Sequence, residues 1–323
     1  MERRNTERKV PMKIAEILRQ LEEFTGEFPR AAVEEAVARR EEITPEFLRI
    51  LEDTVNRATQ GGVESDSMAH LYAMFLLAQF REPRAYPRVV CLASLPADVV
   101  GLLCGDFITE DLGRVLASVC GGDLVGIQCL IENEAADEFV RGAALSSLVT
   151  LVASSQKSRE EITSYFGTLF NGKLERKWSH VWDALVSYSS DLYPEELLRD
   201  IERAFEEGLV DPGYITLKNV HSDLAMGKER VLARLAGNPH RRLVEDTIAE
   251  MKWWACFHET QAKSTNRLSP EPFLKTPASP TRRLSPKIGR NELGLPPWLR
   301  QTVKTLFAVR CKNLDRQDHF IAF

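Results

Sequence analysis

The sequence predicts an all-α fold, and three observations support this class. Apolar residues recur at helical spacings of three and four through most of the chain. No segment alternates strictly between apolar and polar residues, and no alternation of strands with helices is present. Many of the helices are apolar over a wide face, which suits helices packed between neighbours. A HEAT-like or irregular helical repeat fits this pattern. Because no strict sequence period is present, a non-repetitive helical bundle is the alternative.

Three helices are predicted near the amino terminus. The apolar face of the first consists of Ile14, Ile17, Leu18, Leu21 and Phe24. Pro29 is placed to begin the second, over "FPRAAVEEAVARREE". The third covers "ITPEFLRILEDTVNRA", with Thr44 as its N-cap and Pro45 in its first turn. The glycines of the next segment, "TQGGVESDS", indicate a loop.

The middle of the chain is more apolar, and its short helices are separated by Gly, Pro, Asp or Asn. The segment "VVCLASL" is rich in β-branched residues, but its neighbours are helical and we predict a helix there. Further helices are expected in "SREEITSYFGTLFNG", "WSHVWDALVSYSSDLY" and "YPEELLRDIERAFEEGLV". One or two helices follow residue 211. A long final helix is predicted over about residues 241–263.

Charge is unevenly distributed. The chain of 323 residues has a net charge of −5, with 44% hydrophobic and 28% charged residues, an ordinary globular balance. Residues 263–290 hold five prolines, seven basic residues and one acidic residue, which leaves a net charge of −11 on the rest. This composition predicts a Pro-rich basic linker. An acidic body repels a phosphate backbone, so nucleic-acid binding is disfavoured.

The cysteines and the apolar segments favour a cytoplasmic protein. None of the six cysteines forms a CxxC pair, and several lie in apolar runs, where a free cysteine is a small buried hydrophobe. The amino-terminal segment is charged and lacks the apolar core of a signal peptide. The longest apolar stretch, 89–104, contains Pro96 and Asp98, so we expect no membrane span.

No catalytic sequence motif is present: the chain lacks HExxH, GxSxG and a phosphate-binding loop. His70 lies on a strongly apolar helix and is predicted to be a hydrogen-bonded core or half-buried histidine. His180 and Asp183 are one turn apart, beside Trp178 and Trp182. For these four residues we predict aromatic packing and one surface polar pair.

Three further positions have alternative interpretations. His221 and Asp223 could belong to a polar pocket, although nothing else converges on them in the sequence. Cys256 and His258 would lie on opposite faces of an α-helix, so they cannot form a dyad. Trp253, with the tryptophan that follows it, could anchor a partner or cap the helical stack. We therefore predict no catalytic, cofactor-binding or metal-binding residue.

One family resemblance covers roughly residues 12–235. The segments "KIAEILRQLEEFTGEFPRAAVEEAVARREEITPEFLRILE", "HLYAMFLLAQFREPRAYPRVVCLASLP" and "HSDLAMGKERVLARL" resemble a bacterial family, the domain of unknown function family 1186. The resemblance implies an all-helical, repeat-like domain without an established activity, and it supplies no functional residues. Residues 1–11 precede it and are predicted to be a disordered basic extension.

The carboxyl-terminal segment resembles a SEC-C zinc motif that is not completed. The segment "KIGRN" (287–291) matches the entry of that motif, which continues with Cys-x-Cys, Gly-Ser-Gly-Lys and a final Cys-Cys or Cys-His. From Glu292 onward the required thiolates are missing, and zinc needs about four ligands. Cys311 and His319 are too few, so we predict no metal; zinc would bind only if the motif were intact. The alternatives are a frameshift or an unrelated tail.

These observations predict four regions: a basic extension at 1–11, a helical repeat-like domain at 12–262, a linker at 263–290 and a degenerate SEC-C-like tail at 291–323. The favoured function is a non-catalytic protein-interaction scaffold of the bacterial cytoplasm with a protein partner. One alternative is an enzyme or small-molecule binder with a pocket between helices. Another is weak nucleic-acid binding through the basic linker.

The frameshift hypothesis predicts a specific feature of the coding DNA. The segment "WLRQ" (298–301) can be encoded as TGG CTC CGG CAA. When it is read one base later and followed by an A, the same bases encode Gly-Ser-Gly-Lys. We expect sequencing of the gene to show that a one-base shift near Asn291 restores this tetrapeptide together with cysteines. If no single-base shift does so, the tail is unrelated to the zinc motif.

Overall fold

The structure is a computed structural model that describes residues 12–62 and 67–258. These residues form sixteen α-helices and no β-strand. The helices are Ile14–Glu22 (α1), Arg30–Ala38 (α2), Arg40–Thr59 (α3), Ala69–Gln79 (α4), Tyr86–Ala93 (α5), Ala97–Cys104 (α6), Phe107–Glu110 (α7), Leu112–Val119 (α8), Val125–Glu132 (α9), Glu138–Ala153 (α10), Arg159–Thr168 (α11), His180–Asp191 (α12), Leu198–Glu206 (α13), Leu217–Met226 (α14), Lys228–Gly237 (α15) and Thr247–Met251 (α16). The all-α prediction is confirmed, and "VVCLASL" is helical in α5 up to Ala93, as predicted.

The chain divides into two compact units. The larger contains the described residues 12–24 and 29–251. The described residues of the smaller are 25–28 and 252–258. Within the smaller unit, the rings of Phe28 and Phe257 meet edge to face with centroids 5.5 Å apart. None of the described helices is long and apolar enough to cross a membrane. The predicted extension at 1–11, linker at 263–290 and tail at 291–323 lie outside the described residues.

Helix α10 is the central helix of the larger unit. Eleven of its sixteen residues are buried, and it packs against α8, α9 and α12. Its start is fixed by Asp137, whose carboxylate accepts the backbone N–H groups of Phe139 and Val140 at 2.9 and 3.1 Å. Because α10 has no wide solvent-exposed face, its neighbours must approach it from several directions.

Glycines allow neighbouring helices to approach closely. A Cβ atom on Gly113 of α8 would lie 2.7 Å from the carbonyl oxygen of Ala143 in α10. A Cβ atom on Gly126 of α9 would lie 2.9 Å from the hydroxyl of Tyr86 in α5, which accepts the N–H of Ile127 at 2.9 Å. Any larger residue at Gly113 or Gly126 would force the paired helices apart.

Three arginines are buried in the larger unit, and each makes the same kind of contact. Arg114, Arg141 and Arg159 are 6%, 2% and 5% exposed. In each, the Nε–H donates to a backbone carbonyl and the terminal nitrogens bind a carboxylate in a two-pronged contact. Such charge-assisted bidentate contacts are strong and geometrically specific.

The carbonyls bound by two of these arginines lie at helix ends. Arg141 binds the carbonyl of Ile131 in the last turn of α9 at 2.9 Å, and its fork holds Glu175 at 2.5 and 2.7 Å. Arg159 binds the carbonyl of Leu192, the C-cap of α12, at 2.6 Å. The last carbonyls of a helix lack donors from their own helix. The arginines supply those donors and pin the ends of α9 and α12.

The predicted final helix over 241–263 is wrong in its described part. The chain forms a 3-10 turn at Pro239–Arg241, a segment without regular secondary structure at 242–246, the short α16 and another 3-10 turn at Ala255–Phe257. Side chains that are distant in the sequence make hydrogen bonds with the backbone of this segment. Arg81 donates to the carbonyl of Val244 at 2.6 Å, and the N–H of Val244 donates to Ser118 at 3.0 Å.

Two more side chains hold this segment on the helices. Arg114 donates to the carbonyl of Arg242 at 2.8 Å and binds the carboxylate of Glu250 with its fork. The carboxamide oxygen of Gln79 accepts both the N–H and the hydroxyl of Thr247, at 2.9 and 2.7 Å. The backbone groups are therefore satisfied without a helix.

The predicted start of the third helix is also wrong. Helix α3 begins at Arg40, so Thr44 and Pro45 lie inside it rather than at its N-cap and first turn. The Thr44 hydroxyl donates to the carbonyl of Arg40 at 2.6 Å. Pro45 lacks an N–H, which leaves the carbonyl of Glu41 without its helical donor, and Glu41 is exposed to water. Pro29 was correctly predicted to begin the second helix and is the N-cap of α2.

Replacing Gly113 by Ala should destabilise the protein by about 1–3 kcal/mol, because the added methyl group would strike the backbone of α10. Gly101 in α6 is the matched control, since a Cβ atom there meets nothing within 4 Å. Gly101→Ala should stabilise the protein by about 0.5–1 kcal/mol through helix propensity. Urea unfolding of both variants measures the difference. Equal effects of the two substitutions would contradict the close approach of α8 and α10.

Replacing Glu196 by Gln should cost about 1 kcal/mol at pH 7, because the buried Arg159 loses its charged partner while the carboxylate is half-exposed. The hydrogen bonds from Arg159 lower the pKa of Glu196. Because the pKa is lower in the folded state, the ionised carboxylate stabilises the fold above the unfolded pKa of about 4.3. This stabilisation is lost as the pH falls through the folded pKa. The difference in unfolding free energy should therefore shrink below about pH 4.3. Glu195→Gln, at an exposed position in the same turn, should show no such change.

Candidate functional site

Two exposed aromatic side chains, Phe139 and Tyr214, contact His180, and a third, Trp178, lies two residues before it in the chain. Phe139, Trp178 and Tyr214 are 44%, 55% and 53% exposed. The ring of Phe139 lies 4.8 Å from the imidazole of His180, and the ring of Tyr214 meets that imidazole edge to face at 5.3 Å. We call Phe139, Trp178, His180 and Tyr214 the aromatic surface. Aromatic side chains exposed together at one place are a common mark of a binding surface.

Trp178 lies two residues before His180, which begins α12. Ser179 between them is extended, with φ −162° and ψ 161°. The Ser179 hydroxyl is buried. The N–H of His180 donates to the Glu138 carboxylate at 2.7 Å, which fixes the start of α12 beside the start of α10.

A buried carboxylate positions Tyr214. Asp183 of α12 is 3% exposed and accepts the N–H of Asp211 at 2.7 Å. Asp211 in turn accepts the N–H of Gly213 at 2.8 Å through its side chain and that of Tyr214 at 2.9 Å through its carbonyl. Burial raises the pKa of Asp183, and the negative charges of Asp211 and Glu138 add to this effect. The turn that carries Tyr214 is thus tied to α12.

A glycine leaves room for the imidazole. A Cβ atom on Gly142 of α10 would lie 3.3 Å from Cδ2 of His180. The imidazole therefore lies directly over the backbone of the buried helix. The position of the aromatic surface depends on how closely α12 approaches α10.

A polar network extends from the aromatic surface along α12. Arg241 binds Asp191 at 3.2 Å and Ser146 of α10 at 2.7 Å, and its guanidinium lies 4.7 Å above the ring of Tyr188. Burial raises the pKa of Asp191, whereas the charge of Arg241 lowers it. Burial also raises the pKa of Tyr214, with the nearby Tyr188 as a further cause.

The structure places the predicted histidines in different environments. His70 is 4% exposed, and its Nε2 lies 2.6 Å from the carbonyl of Leu103, which confirms a hydrogen-bonded core histidine. Burial lowers the pKa of His70. His221 is exposed, whereas the neighbouring Asp223 accepts hydrogen bonds from Ser190 at 2.6 Å and Arg234 at 2.8 Å. Asp223 is therefore hydrogen-bonded to Ser190 and Arg234.

Two predictions about aromatic and polar neighbours are corrected. The predicted surface polar pair of His180 and Asp183 is wrong, because Asp183 is buried and accepts a backbone N–H. The predicted packing role holds for Trp182, which is 1% exposed, but Trp178 is exposed. The indole of Trp182 donates to the carbonyl of Glu175 at 3.0 Å.

The prediction for Cys256 and His258 assumed an α-helix, and the structure has a 3-10 turn there. The Nε2 of His258 lies 3.0 Å from the carbonyl of Lys252. Trp253 is 70% exposed and stacks on His258, and Trp254 is half-buried.

The cysteine and acidic side chains do not form a reactive or metal-binding centre in the described part of the chain. Cys91, Cys104, Cys120 and Cys129 form no disulfide, and burial raises the pKa of each thiol, to about 11 for Cys91 and to about 12 for Cys104. Their thiols are thus protonated at neutral pH. Within residues 12–62 and 67–258, no three His, Cys, Asp or Glu side chains are placed to hold a metal ion.

A groove of about 500 Å³ lies beside α1 and α3. Two of its charged lining residues are already paired: Arg19 binds Glu16 and Glu23, and Arg49 binds Glu46. Arg49 also binds Asp53, another lining residue. The groove therefore offers a surface of mutually neutralised charges, whereas the aromatic surface offers exposed rings.

The fold and this surface define an all-helical domain with an exposed aromatic cluster. A family model described as "Protein of unknown function (DUF1186)" matches residues 12–258, and the chain belongs to this family. The predicted resemblance is confirmed. The SEC-C-like tail remains a prediction, since it lies outside the matched and described residues.

Two relatives come from chlamydiae. An "Uncharacterized protein" of Chlamydia trachomatis serovar D is 41% identical over 244 residues, which cover 75% of this chain and 96% of that protein. An "Uncharacterized protein" of Chlamydia muridarum is 40% identical over 244 residues, with 75% and 97% covered. No solved structure matches the chain.

The exposed rings of the aromatic surface should contribute less to the stability of the fold than a fully buried ring does. The triple substitution Phe139→Ala, Trp178→Ala and Tyr214→Ala should cost less unfolding free energy than Trp182→Ala alone, because the three side chains are about half exposed. Truncation of the buried Trp182 should cost about 3–5 kcal/mol. Urea unfolding of the two variants compares these costs. A larger loss for the triple variant would show that the exposed rings are part of the core.

Proposed function

We propose that this protein is a non-catalytic protein-interaction scaffold and that the aromatic surface is its binding surface. The observation that carries the proposal is the contact of two exposed rings from separate elements, Phe139 and Tyr214, with His180, together with the exposed Trp178 two residues before it. Trp and Tyr are enriched among the side chains that dominate binding energy at interfaces. Half-exposed rings fixed by their neighbours lose little conformational entropy on binding.

The rigidity of the support favours this assignment. Phe139, His180 and Tyr214 are attached to backbone segments held by hydrogen bonds: Asp137 caps the helix that carries Phe139, Glu138 holds His180, and Asp183 holds the turn before Tyr214. A preorganised surface of this kind suits a scaffold. We further propose that the helices form a HEAT-like repeat and that the protein acts in the bacterial cytoplasm. The packing of consecutive helices in the pairs α1 with α2, α3 with α4 and α9 with α10 supports the repeat.

The alternatives have less support. An enzyme or small-molecule site would need polar groups that converge in a cavity, and the groove beside α1 and α3 is lined by paired charges. Weak nucleic-acid binding would depend on residues 263–290, which lie outside the described residues. The net charge of −11 on the rest of the chain opposes it.

Affinity capture from the native host tests the proposal. The full chain is immobilised as wild type, as the triple variant Phe139→Ala/Trp178→Ala/Tyr214→Ala, and as the control variant Leu102→Ala/Val125→Ala. The control removes exposed apolar side chains from α6 and α9. We expect a defined set of proteins to be retained by the wild type and the control and reduced at least about ten-fold on the triple variant. Equal retention by all three chains would contradict the assigned surface.

A further inference from the structure

The surroundings of the aromatic surface are acidic. Glu138 and Asp211 lie close enough to Asp183 for their charges to act on it, and His180 acts on it as well. Asp191 acts on Tyr214 from the side of the polar network. Three of these carboxylates come from α10 and α12, and Asp211 comes from the turn that carries Tyr214.

Few cations offset these carboxylates. Arg241 is bound to Asp191 and lies over the ring of Tyr188. Lys177, next to Trp178 in the chain, acts on Glu175, the partner of Arg141. The carboxylates of Glu138 and Asp211 accept only backbone N–H groups in the described part of the chain. The surface therefore attracts positive charge.

Rings in this neighbourhood already hold cations. The guanidinium of Arg241 lies 4.7 Å from the centroid of the Tyr188 ring, and that of Arg176 lies 5.4 Å from the centroid of the Trp182 ring. Both rings belong to α12. A guanidinium or ammonium group stacks favourably on the face of Trp, Tyr or Phe. Trp178 and Tyr214 are exposed aromatic rings of the same types, and the charges of Asp183 and Asp191 act on Tyr214.

We infer that the aromatic surface binds a basic segment of a partner protein, whose arginine or lysine side chains stack on Trp178 and Tyr214 and face Glu138 and Asp211. This inference rests on the proposed function. Both the rings and the charges contribute: the rings supply apolar contact and cation–π attraction, and the carboxylates select positive charge.

Charge complementarity separates this occupant from the others. A nucleic acid would bring its phosphates against Glu138, Asp211 and the buried Asp183. A purely apolar helix would leave these carboxylates facing apolar groups. This is unfavourable because the carboxylates would lose their hydration without gaining a partner. A second copy of this chain would bring together two acidic surfaces. A basic segment satisfies both the rings and the carboxylates.

Selection from a random dodecapeptide library displayed on phage tests the inference without assuming a partner. The full chain is the target, at physiological ionic strength. We expect the enriched peptides to carry a net positive charge, and we expect their recovery to fall at least about ten-fold on Phe139→Ala/Trp178→Ala/Tyr214→Ala. Leu102→Ala/Val125→Ala should recover them as well as the wild type does. Neutral or acidic peptides, no enrichment, or equal recovery on the triple variant would each overturn the inference.

A second variant tests the contribution of the carboxylates to binding separately from that of the rings. Glu138→Gln/Asp211→Asn keeps an oxygen for the N–H groups of His180 and Gly213 but removes two negative charges. Binding of a selected basic peptide, followed by fluorescence anisotropy, should weaken at least about three-fold in this variant and lose much of its dependence on salt. Unchanged affinity and salt dependence would show that the carboxylates do not select the ligand, which overturns the charge-based assignment.

The two proposals fail in distinguishable ways. If affinity capture depends on the aromatic rings but the library yields no basic peptides, the scaffold function stands and the inferred partner class is wrong. If capture by the wild type and triple variant is equal, the proposed binding surface is wrong. A concentration-dependent dimer that the triple substitution abolishes would assign the surface to a second copy of the chain and overturn the basic partner.

Discussion

The burial of α10 is the constraint on which the rest of the larger unit depends. A helix with eleven buried residues out of sixteen cannot be stabilised by one neighbour, and its apolar side chains are covered from several sides. Gly113 allows α8 to contact the backbone of α10, and Gly142 allows the imidazole of His180 to lie over it. The aromatic surface is therefore built on a largely buried helix.

The buried arginines donate hydrogen bonds to helix-end carbonyls that this packing removes from water. Helices that surround α10 have ends inside the structure, where their terminal carbonyls lose contact with water. Arg141 and Arg159 bind such carbonyls and neutralise their own charges with Glu175 and Glu196. A buried ion pair is not by itself a large source of stability, but loss of one partner leaves an unpaired buried charge. The contacts of Arg141 and Arg159 therefore determine which helix ends lie next to each other.

Periodicity alone was enough to predict the all-α class and most helix positions, because each helix carries its apolar face in its own sequence. The errors occur where distant side chains replace local hydrogen bonds. Val244 binds Ser118 and Arg81, which are 126 and 163 residues away, and no local pattern encodes those partners. The aromatic surface was missed for a similar reason. Trp178 and Trp182 look alike in the sequence although one is exposed and the other is buried, and the turn at Asp211 brings Tyr214 to His180 from a separate element.

The support for the aromatic surface and the stability of the fold thus have the same origin in α10. The peripheral helices differ: Val220 is the one buried residue of α14, and α15 buries Val231 and Leu235. Native-state hydrogen exchange tests this hierarchy most directly. The account predicts that amides of residues 145–151 exchange only through global unfolding, with an exchange free energy equal to that of denaturant unfolding, and that α14 and α15 open at lower free energy. Exchange of the α10 amides through a smaller opening than that of α14 and α15 would contradict it.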